Sequence, residues 1–125
     1  MSTFATPVRI WNPADPVKVT EIDLLVDTGA SYSWISRERL ERLGIRPTRR
    51  MQFRTIEGHM IEREMAPAYV ASDGYIGGDT LVMAEPGDTE VMGAWTLESL
   101  GLAVDVVQGK LIPTIGLALR AIPRY

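Results

Sequence analysis

The residues Asp27-Thr28-Gly29-Ala30 place a carboxylate, a hydroxyl and a glycine directly after the apolar run Leu24-Leu25-Val26. A carboxylate at the end of a strand can act as a general acid or base, and the glycine allows the backbone to turn tightly beside it. An ordinary turn, in which Asp27 only bonds its own backbone, is the less favoured interpretation because of the apolar residues on the amino-terminal side. Asp27 is therefore the candidate catalytic residue.

Other common catalytic groups are scarce in this sequence. It has no cysteine, and His59 is its one histidine. Disulfides, thiolate zinc sites and a cysteine nucleophile are thereby excluded, while histidine metal clusters and Ser/His/Asp triads are poor candidates. Carboxylates remain the leading chemical groups, and we expect neither a metal nor another cofactor.

The elements that must position Asp27 can be predicted from turn residues and periodicity. Residues 7–11 and 17–26 form a predicted hairpin, and the second strand delivers the chain to Asp27. Ser36 is a plausible N-cap of a short helix that ends at Gly44. Residues 51–70 are strand-like, with a predicted turn at Glu57-Gly58-His59.

The second half of the chain repeats this alternation of strands and turns. Turn residues are predicted at 72–74 and again at 76–79, before a strand over 80–84. Val91-Met92-Gly93 leads into a second short helix, and residues 102–107 and 110–113 form a hairpin about Gln108-Gly109. Residues 115–119 could add a final strand, either at a subunit interface or as a buried edge within one subunit.

Composition points to one ordinary globular domain over residues 1–125, with 46% hydrophobic and 23% charged residues. The net charge of -3 and the scattered basic residues argue against a nucleic-acid partner. No run of about 18 apolar residues and no signal-like amino terminus are present, so we expect a cytoplasmic protein without a membrane partner.

The sequence resembles the retropepsin-type aspartic peptidases, specifically the small retroviral-protease-like proteins encoded by bacteria. Residues 24–30 match the catalytic motif of that family, and Val91-Met92-Gly93 followed by a helix matches its second motif. The hairpin about Gly58 falls where the family has its flap, so the resemblance spans about residues 17–113. Retroviral members commonly have an arginine after the second glycine, whereas Ala94 stands here, so an ion pair that braces their dimer is absent or replaced.

The resemblance implies an all-β fold with two short helices, a retropepsin-like closed β-barrel or sandwich with one half-site per chain. It implies that Thr28 bonds across a dimer axis, that Gly29 offers its N–H to the carboxylate, and that Ala30 packs beside the loop. Because Ala30 lacks a hydroxyl that would stabilise an ionised carboxylate, we expect an activity optimum less acidic than that of pepsin. The flap, which would cover a bound substrate, comprises Ile56, Glu57, Gly58, His59 and Met60.

Hydrolysis of an amide by carboxyl groups explains why a pair is needed. One group must deprotonate water and another must protonate the carbonyl oxygen or the leaving amine. The sequence has one Asp-Thr-Gly, because Asp79-Thr80 is followed by leucine and Asp73-Gly74 lacks the hydroxyl residue. We therefore expect a homodimer in which Asp27 faces its own copy across a two-fold axis. A monomer using Asp79 or Asp105 as the second carboxylate is less favoured.

Two functions follow as hypotheses. The first is an aspartic endopeptidase that cleaves a peptide or protein substrate. The second is a retropepsin-fold binding or dimerisation module with weak or no proteolysis, because one fold can host several functions.

Overall fold

Strands dominate the computed structural model, which describes residues 4–124. Two short helices, α1 and α2, lie among the strands, as predicted. In chain order the elements of this range are β1 Ala5–Asn12, β2 Asp15–Val26, β3 Trp34–Ser36, α1 Arg37–Arg42, β4 Arg49–Arg54, β5 Met60–Ser72, β6 Tyr75–Ala84, β7 Val91–Met92, α2 Ala94–Leu100, β8 Leu102–Asp105 and β9 Lys110–Pro113.

The main sheet closes on itself. Its strand order is β1-β2-β7-β3-β6-β5-β4, and an additional antiparallel pairing joins β1 to β5, with Ile10 opposite Val70. Six strands therefore form a ring, β4 extends the sheet beyond β5, and β8 pairs with β9 in a separate hairpin. This arrangement agrees with the predicted closed all-β fold.

The core follows from the period-2 alternation of side chains along the ring strands. Val8 and Ile10 of β1 and Leu24 and Val26 of β2 are buried, while the residues between them are largely exposed. The carboxyl half of β6, residues 81–84, is buried at every position because both helices contact this strand. The ring thus supplies a rigid support for the loops at the strand ends.

The short helices begin and end as their sequences predict. The Ser36 side chain accepts a hydrogen bond of 3.2 Å from the Arg39 N–H at the start of α1. Gly44, just after this helix, and Gly101, just after α2, have φ values of +73° and +69°, which glycine adopts without strain. The buried Leu40 anchors α1 in the core.

Two predictions are wrong for the described chain, the turn at residues 76–79 and the buried edge strand at residues 115–119, whereas the alternative of an interface strand at 115–119 stays a prediction. Residues 76–79 are not a turn but part of β6, whose pairing with β5 continues to Ser72 opposite Tyr75, so the turn is confined to Asp73 and Gly74. Residues 115–119 form no strand within this single chain, and their apolar side chains are exposed. Across residues 4–124, no helix has the length and apolar character to cross a membrane.

Candidate active site

The end of β2 places the candidate catalytic residue beside the second motif. β2 and β7 pair in parallel, with Val26 opposite Met92, and the Asp27 N–H donates to the Met92 carbonyl at 3.0 Å. Two segments far apart in sequence, residues 24–30 and 91–93, are therefore adjacent in the fold.

The loop that follows Asp27 folds back on its carboxylate. The Gly29 N–H donates to Asp27 Oδ1 at 2.9 Å, and the Ala30 N–H donates to the Asp27 carbonyl at 3.1 Å. A Cβ on Gly29 would lie 3.1 Å from Oδ1, so a larger residue would crowd the carboxylate. Asp27 and Ala30 are half-buried and Thr28 is exposed, which leaves the carboxylate and the hydroxyl accessible at one end of the ring.

Gly93 allows the two motifs to approach closely. A Cβ on this residue would lie 2.9 Å from the Ala30 carbonyl oxygen and still closer to the carbonyl of Tyr32. The N–H groups of Ala94 and Trp95 donate to the carbonyls of Ala30 and Ser31, each at 2.8 Å. The first turn of α2 thus binds the backbone of the catalytic loop.

A buried polar network lies beneath this contact. Ser33 Oγ accepts the Gly93 N–H at 2.9 Å and lies 2.5 Å from Thr96 Oγ1, which donates to Asp79 Oδ2 at 2.5 Å. Burial raises the pKa of the Asp79 carboxyl, although hydrogen bonds from Thr96 and the Thr80 N–H act in the opposite direction. Sequence analysis missed Ser33 and Thr96, and it considered Asp79 only as a second catalytic carboxylate.

An aromatic cluster connects the catalytic loop to the base of the candidate flap. The ring centroids of Tyr32 and Phe53 lie 6.2 Å apart in an edge-to-face arrangement, and those of Trp34 and Phe53 lie 5.1 Å apart. Tyr32 also lies 6.2 Å from Trp95 of α2. The hairpin that begins in β4 is therefore packed at its base against the strand and loop that follow Asp27.

The hairpin tip carries the residues predicted for the flap. Gly58 has a φ of +92°, and the tip is closed by the Thr55 N–H donating to the His59 carbonyl at 2.8 Å. Ile56 is fully exposed and Met60 is more than half exposed. In the described range, the hydrogen bonds of the tip lie within the hairpin, and none joins it to the catalytic loop.

Charged residues concentrate on another part of the surface. Arg37 bonds Glu64 at 2.7 Å and Glu85 at 2.9 Å, and these two carboxylates raise the pKa of the guanidinium. Arg63 bonds Asp88 at 2.7 Å. Two surface clefts lie near α1 and are lined by residues 36–38, 41, 44–47, 84–88 and 90, none of which belongs to the catalytic loop. Across residues 4–124, no cluster of three or more His, Asp or Glu side chains could hold a metal ion.

The chain belongs to the aspartyl protease family, whose model matches residues 7–73, more than half of the sequence. The family is one of peptide-bond hydrolases, and the matched range includes the Asp27 loop and the candidate flap hairpin but ends before Val91-Met92-Gly93.

The fold has a counterpart among solved structures. The solution structure of the simian foamy virus (mac) protease is similar, with a TM-score of 0.55 and 18% sequence identity over 76% of this chain and 92% of that chain. At this identity the similarity shows the fold, and it confirms the predicted retropepsin-like architecture. A comparison with curated protein sequences gives no match.

Proposed function

We propose that this protein is an aspartic endopeptidase whose dyad consists of Asp27 from each of two identical chains. The observation that carries the proposal is the position of Asp27. Its backbone N–H is bound to Met92, its carboxylate accepts the Gly29 N–H, and the side chain remains partly open to solvent. A second such loop, related by a two-fold axis, would bring two carboxyls together around one water.

The chemistry of such a pair accounts for peptide-bond hydrolysis without a metal or cofactor. Two adjacent carboxyls share one proton, because placing two like charges close together is unfavourable. The ionised carboxylate takes a proton from water as the oxygen attacks the carbonyl carbon, and the protonated carboxyl gives its proton to the carbonyl oxygen. When the tetrahedral intermediate collapses, a proton passes to the leaving amine and the C–N bond breaks.

The other aspartates considered for this role are committed elsewhere within the chain. Asp79 is 8% exposed and is bonded to Thr96 and the Thr80 N–H. Asp105 accepts the N–H groups of Val107 and Gln108 at 3.0 and 3.1 Å in the turn between β8 and β9. Both contacts support a second chain, rather than a second aspartate of the same chain, as the source of the other carboxylate.

The exposed carboxy-terminal segment supports self-association. Ile115, Leu117, Leu119 and Ile122 are all more than four-fifths exposed. Burying one such side chain contributes about 1.5–3 kcal/mol, so covering several of them would favour association. A second copy of the chain is the partner that would also complete the catalytic site.

The hairpin about Gly58 is proposed to cover a peptide bound in extended form. A mobile cover contributes to catalysis by excluding water and by bonding the substrate backbone. The fully exposed Ile56 supports this role, because an apolar side chain at the tip has a contact to gain only when something lies beneath the hairpin. Thr28 is proposed to bond its counterpart and so fix the two loops relative to each other.

Cleavage of an unfolded protein tests the proposal. The wild type is expected to cleave it and to sediment as a dimer, while Asp27→Ala and Asp27→Asn keep the fold and the dimer but lose cleavage. Asp23→Asn is the matched control, because Asp23 is exposed on β2, the strand that leads to Asp27. A proven dimer that cleaves nothing over a broad pH range would instead favour the binding or dimerisation module.

A further inference from the structure

A continuous series of hydrogen bonds runs through the interior from β6 to the second motif. Its members are Asp79 on β6, Thr96 on α2 and Ser33 before β3, with the Gly93 N–H at its end. Asp79 is 8% exposed, Ser33 2% and Thr96 1%. Burying a carboxylate is energetically unfavourable unless hydrogen bonds stabilise it, so the presence of Asp79 in the interior calls for a physical explanation.

The direction of each bond follows from the hydrogen count. Both carboxyl oxygens of Asp79 accept, Oδ1 from the Thr80 N–H and Oδ2 from the single hydroxyl hydrogen of Thr96. Because the only hydroxyl hydrogen of Thr96 is used in this bond, Ser33 donates its own hydrogen to Thr96 Oγ1 and accepts the Gly93 N–H. Each hydroxyl thus donates once, and no buried side-chain nitrogen or oxygen in the described range lacks a partner.

The series of hydrogen bonds ends at Gly93, whose sequence neighbours bind the catalytic loop. Met92, next to Gly93, accepts the Asp27 N–H, and the two residues after Gly93 donate to the carbonyls of Ala30 and Ser31. A displacement of Gly93 would therefore be transmitted to both ends of the loop that holds Asp27. Replacing Thr96 by an apolar residue would leave Ser33 and Asp79 without their bonds to it, at the depth where such loss is most costly.

We propose that Asp79 is a positioning residue that holds the Asp27 loop against Gly93 through Thr96 and Ser33. This inference rests on the proposed function, because the geometry it preserves is that of the catalytic dyad. Asp79 does not touch the substrate. Its contribution is to keep each Asp27 within the small tolerance that catalysis by oriented groups requires.

The test compares two replacements of Thr96. Thr96→Val keeps the side-chain volume without the hydroxyl, and Thr96→Ser keeps the hydroxyl. We expect Thr96→Val to lower kcat by about tenfold to hundredfold with KM within about twofold of wild type, and Thr96→Ser to restore most of kcat. Val8→Ala, in the core of β1, is the stability control, because it should lower the melting temperature and leave kcat unchanged. Folded Thr96→Val with the kcat of the wild type would overturn the inference.

Amide hydrogen exchange on the wild type gives a second measurement that needs no variant. The Gly93 N–H should exchange only through global unfolding, with the protection of the core amides of β1 and β6. Fast local exchange at Gly93 would equally overturn the positioning role. If the wild type cleaves no substrate, the proposed function fails and the exchange experiment still decides whether the network holds Gly93. If the wild type cleaves and Thr96→Val retains full kcat, only the role of Asp79 fails.

Discussion

The N–H of Asp27 and the carbonyl oxygen of Met92 are joined by a 3.0 Å hydrogen bond that continues the parallel pairing of β2 and β7 beyond Val26. The candidate catalytic carboxylate is thereby fixed to the second motif within one chain. In the proposed dimer, a half-site of this kind would be organised before two chains meet, so association would have to order less of the catalytic loop.

Gly93→Ala should severely destabilise the fold. The added methyl group would meet the carbonyl groups of Tyr32 and Ala30, which belong to the backbone and cannot rotate away. We expect a loss of at least about 3 kcal/mol, measured by urea unfolding. Gly78→Ala on β6 is the control, because its nearest neighbour would be the Tyr69 ring at an ordinary 3.7 Å. A Gly93→Ala variant as stable as wild type would show that the two motifs are not packed as described.

Ile56→Asp should reduce cleavage without reducing stability. Ile56 is fully exposed at the hairpin tip, so its replacement removes no contact within the chain. In the proposed closed flap, however, an aspartate carboxylate at this position would lose its water of hydration against the bound peptide. We expect kcat/KM to fall by about tenfold or more and the melting temperature to stay within experimental error. Val17→Asp, an exposed apolar position on β2, should change neither quantity. Equal activity of both variants would argue against a flap.

The ion pair between Arg63 and Asp88 should stabilise the protein at neutral pH and less so in acid. Their side chains are 19% and 15% exposed, and the hydrogen bond from Arg63 lowers the pKa of Asp88 below its ordinary value. The folded state then binds this proton less tightly than the unfolded state, so the stabilisation is present above about pH 4 and is lost as pH falls through the lowered pKa. Arg63→Met should cost about 1–3 kcal/mol at pH 7 and less as the pH falls through the lowered pKa of Asp88. A pH-independent difference between the two proteins would contradict this assignment.

The Asp79 carboxyl should lower the free energy of unfolding as the pH rises, which is opposite to the effect of Asp88. Burial raises the pKa of Asp79, so the folded state holds the proton more tightly than the unfolded state. Its contribution is therefore most favourable below about pH 4 and diminishes as pH rises through the raised pKa. The Asp79→Asn variant cannot ionise at this position, so its free energy of unfolding should fall less than that of the wild type as the pH rises from about 4 through the raised pKa. This difference in slope is expected whatever the effect of the substitution on stability at a single pH. Parallel pH profiles of wild type and variant would rule out a raised pKa in the folded state.

The predictable part of the site is the part encoded locally. The apolar strand before Asp27, the glycine two residues after it, and Gly58 at the hairpin tip each leave a pattern within a few residues. The second motif and its helix were likewise predictable, because Gly93 and Gly101 bracket an amphipathic segment. These patterns sufficed for the strands, the helices and the placement of Asp27 at a strand end, whereas the closed retropepsin-like fold was expected from the resemblance to that family.

The unpredicted part depends on contacts between distant segments. Ser33 and Thr96 are 63 residues apart in sequence, and neither stands in a pattern that indicates burial with the other. Gly77 and Gly78 suggested a turn, but pairing with β5 overrides this local tendency. Gly77 has a packing reason to lack a side chain, because a Cβ there would lie 3.1 Å from the Ser99 carbonyl oxygen of α2. In the proposed dimer, the conformation of residues 115–119 would depend on contacts with the second chain, which no pattern within one chain encodes.

Mixing the wild type with the Asp27→Asn variant tests most directly whether one carboxyl from each of two chains forms the catalytic pair. With wild type held constant and the variant added in excess, chains exchange into mixed dimers that carry a single ionisable Asp27. We predict that cleavage falls toward zero as the variant fraction rises, and that Asp23→Asn added in the same way causes no loss. Undiminished cleavage, under conditions where sedimentation shows that chains exchange, would contradict the shared dyad.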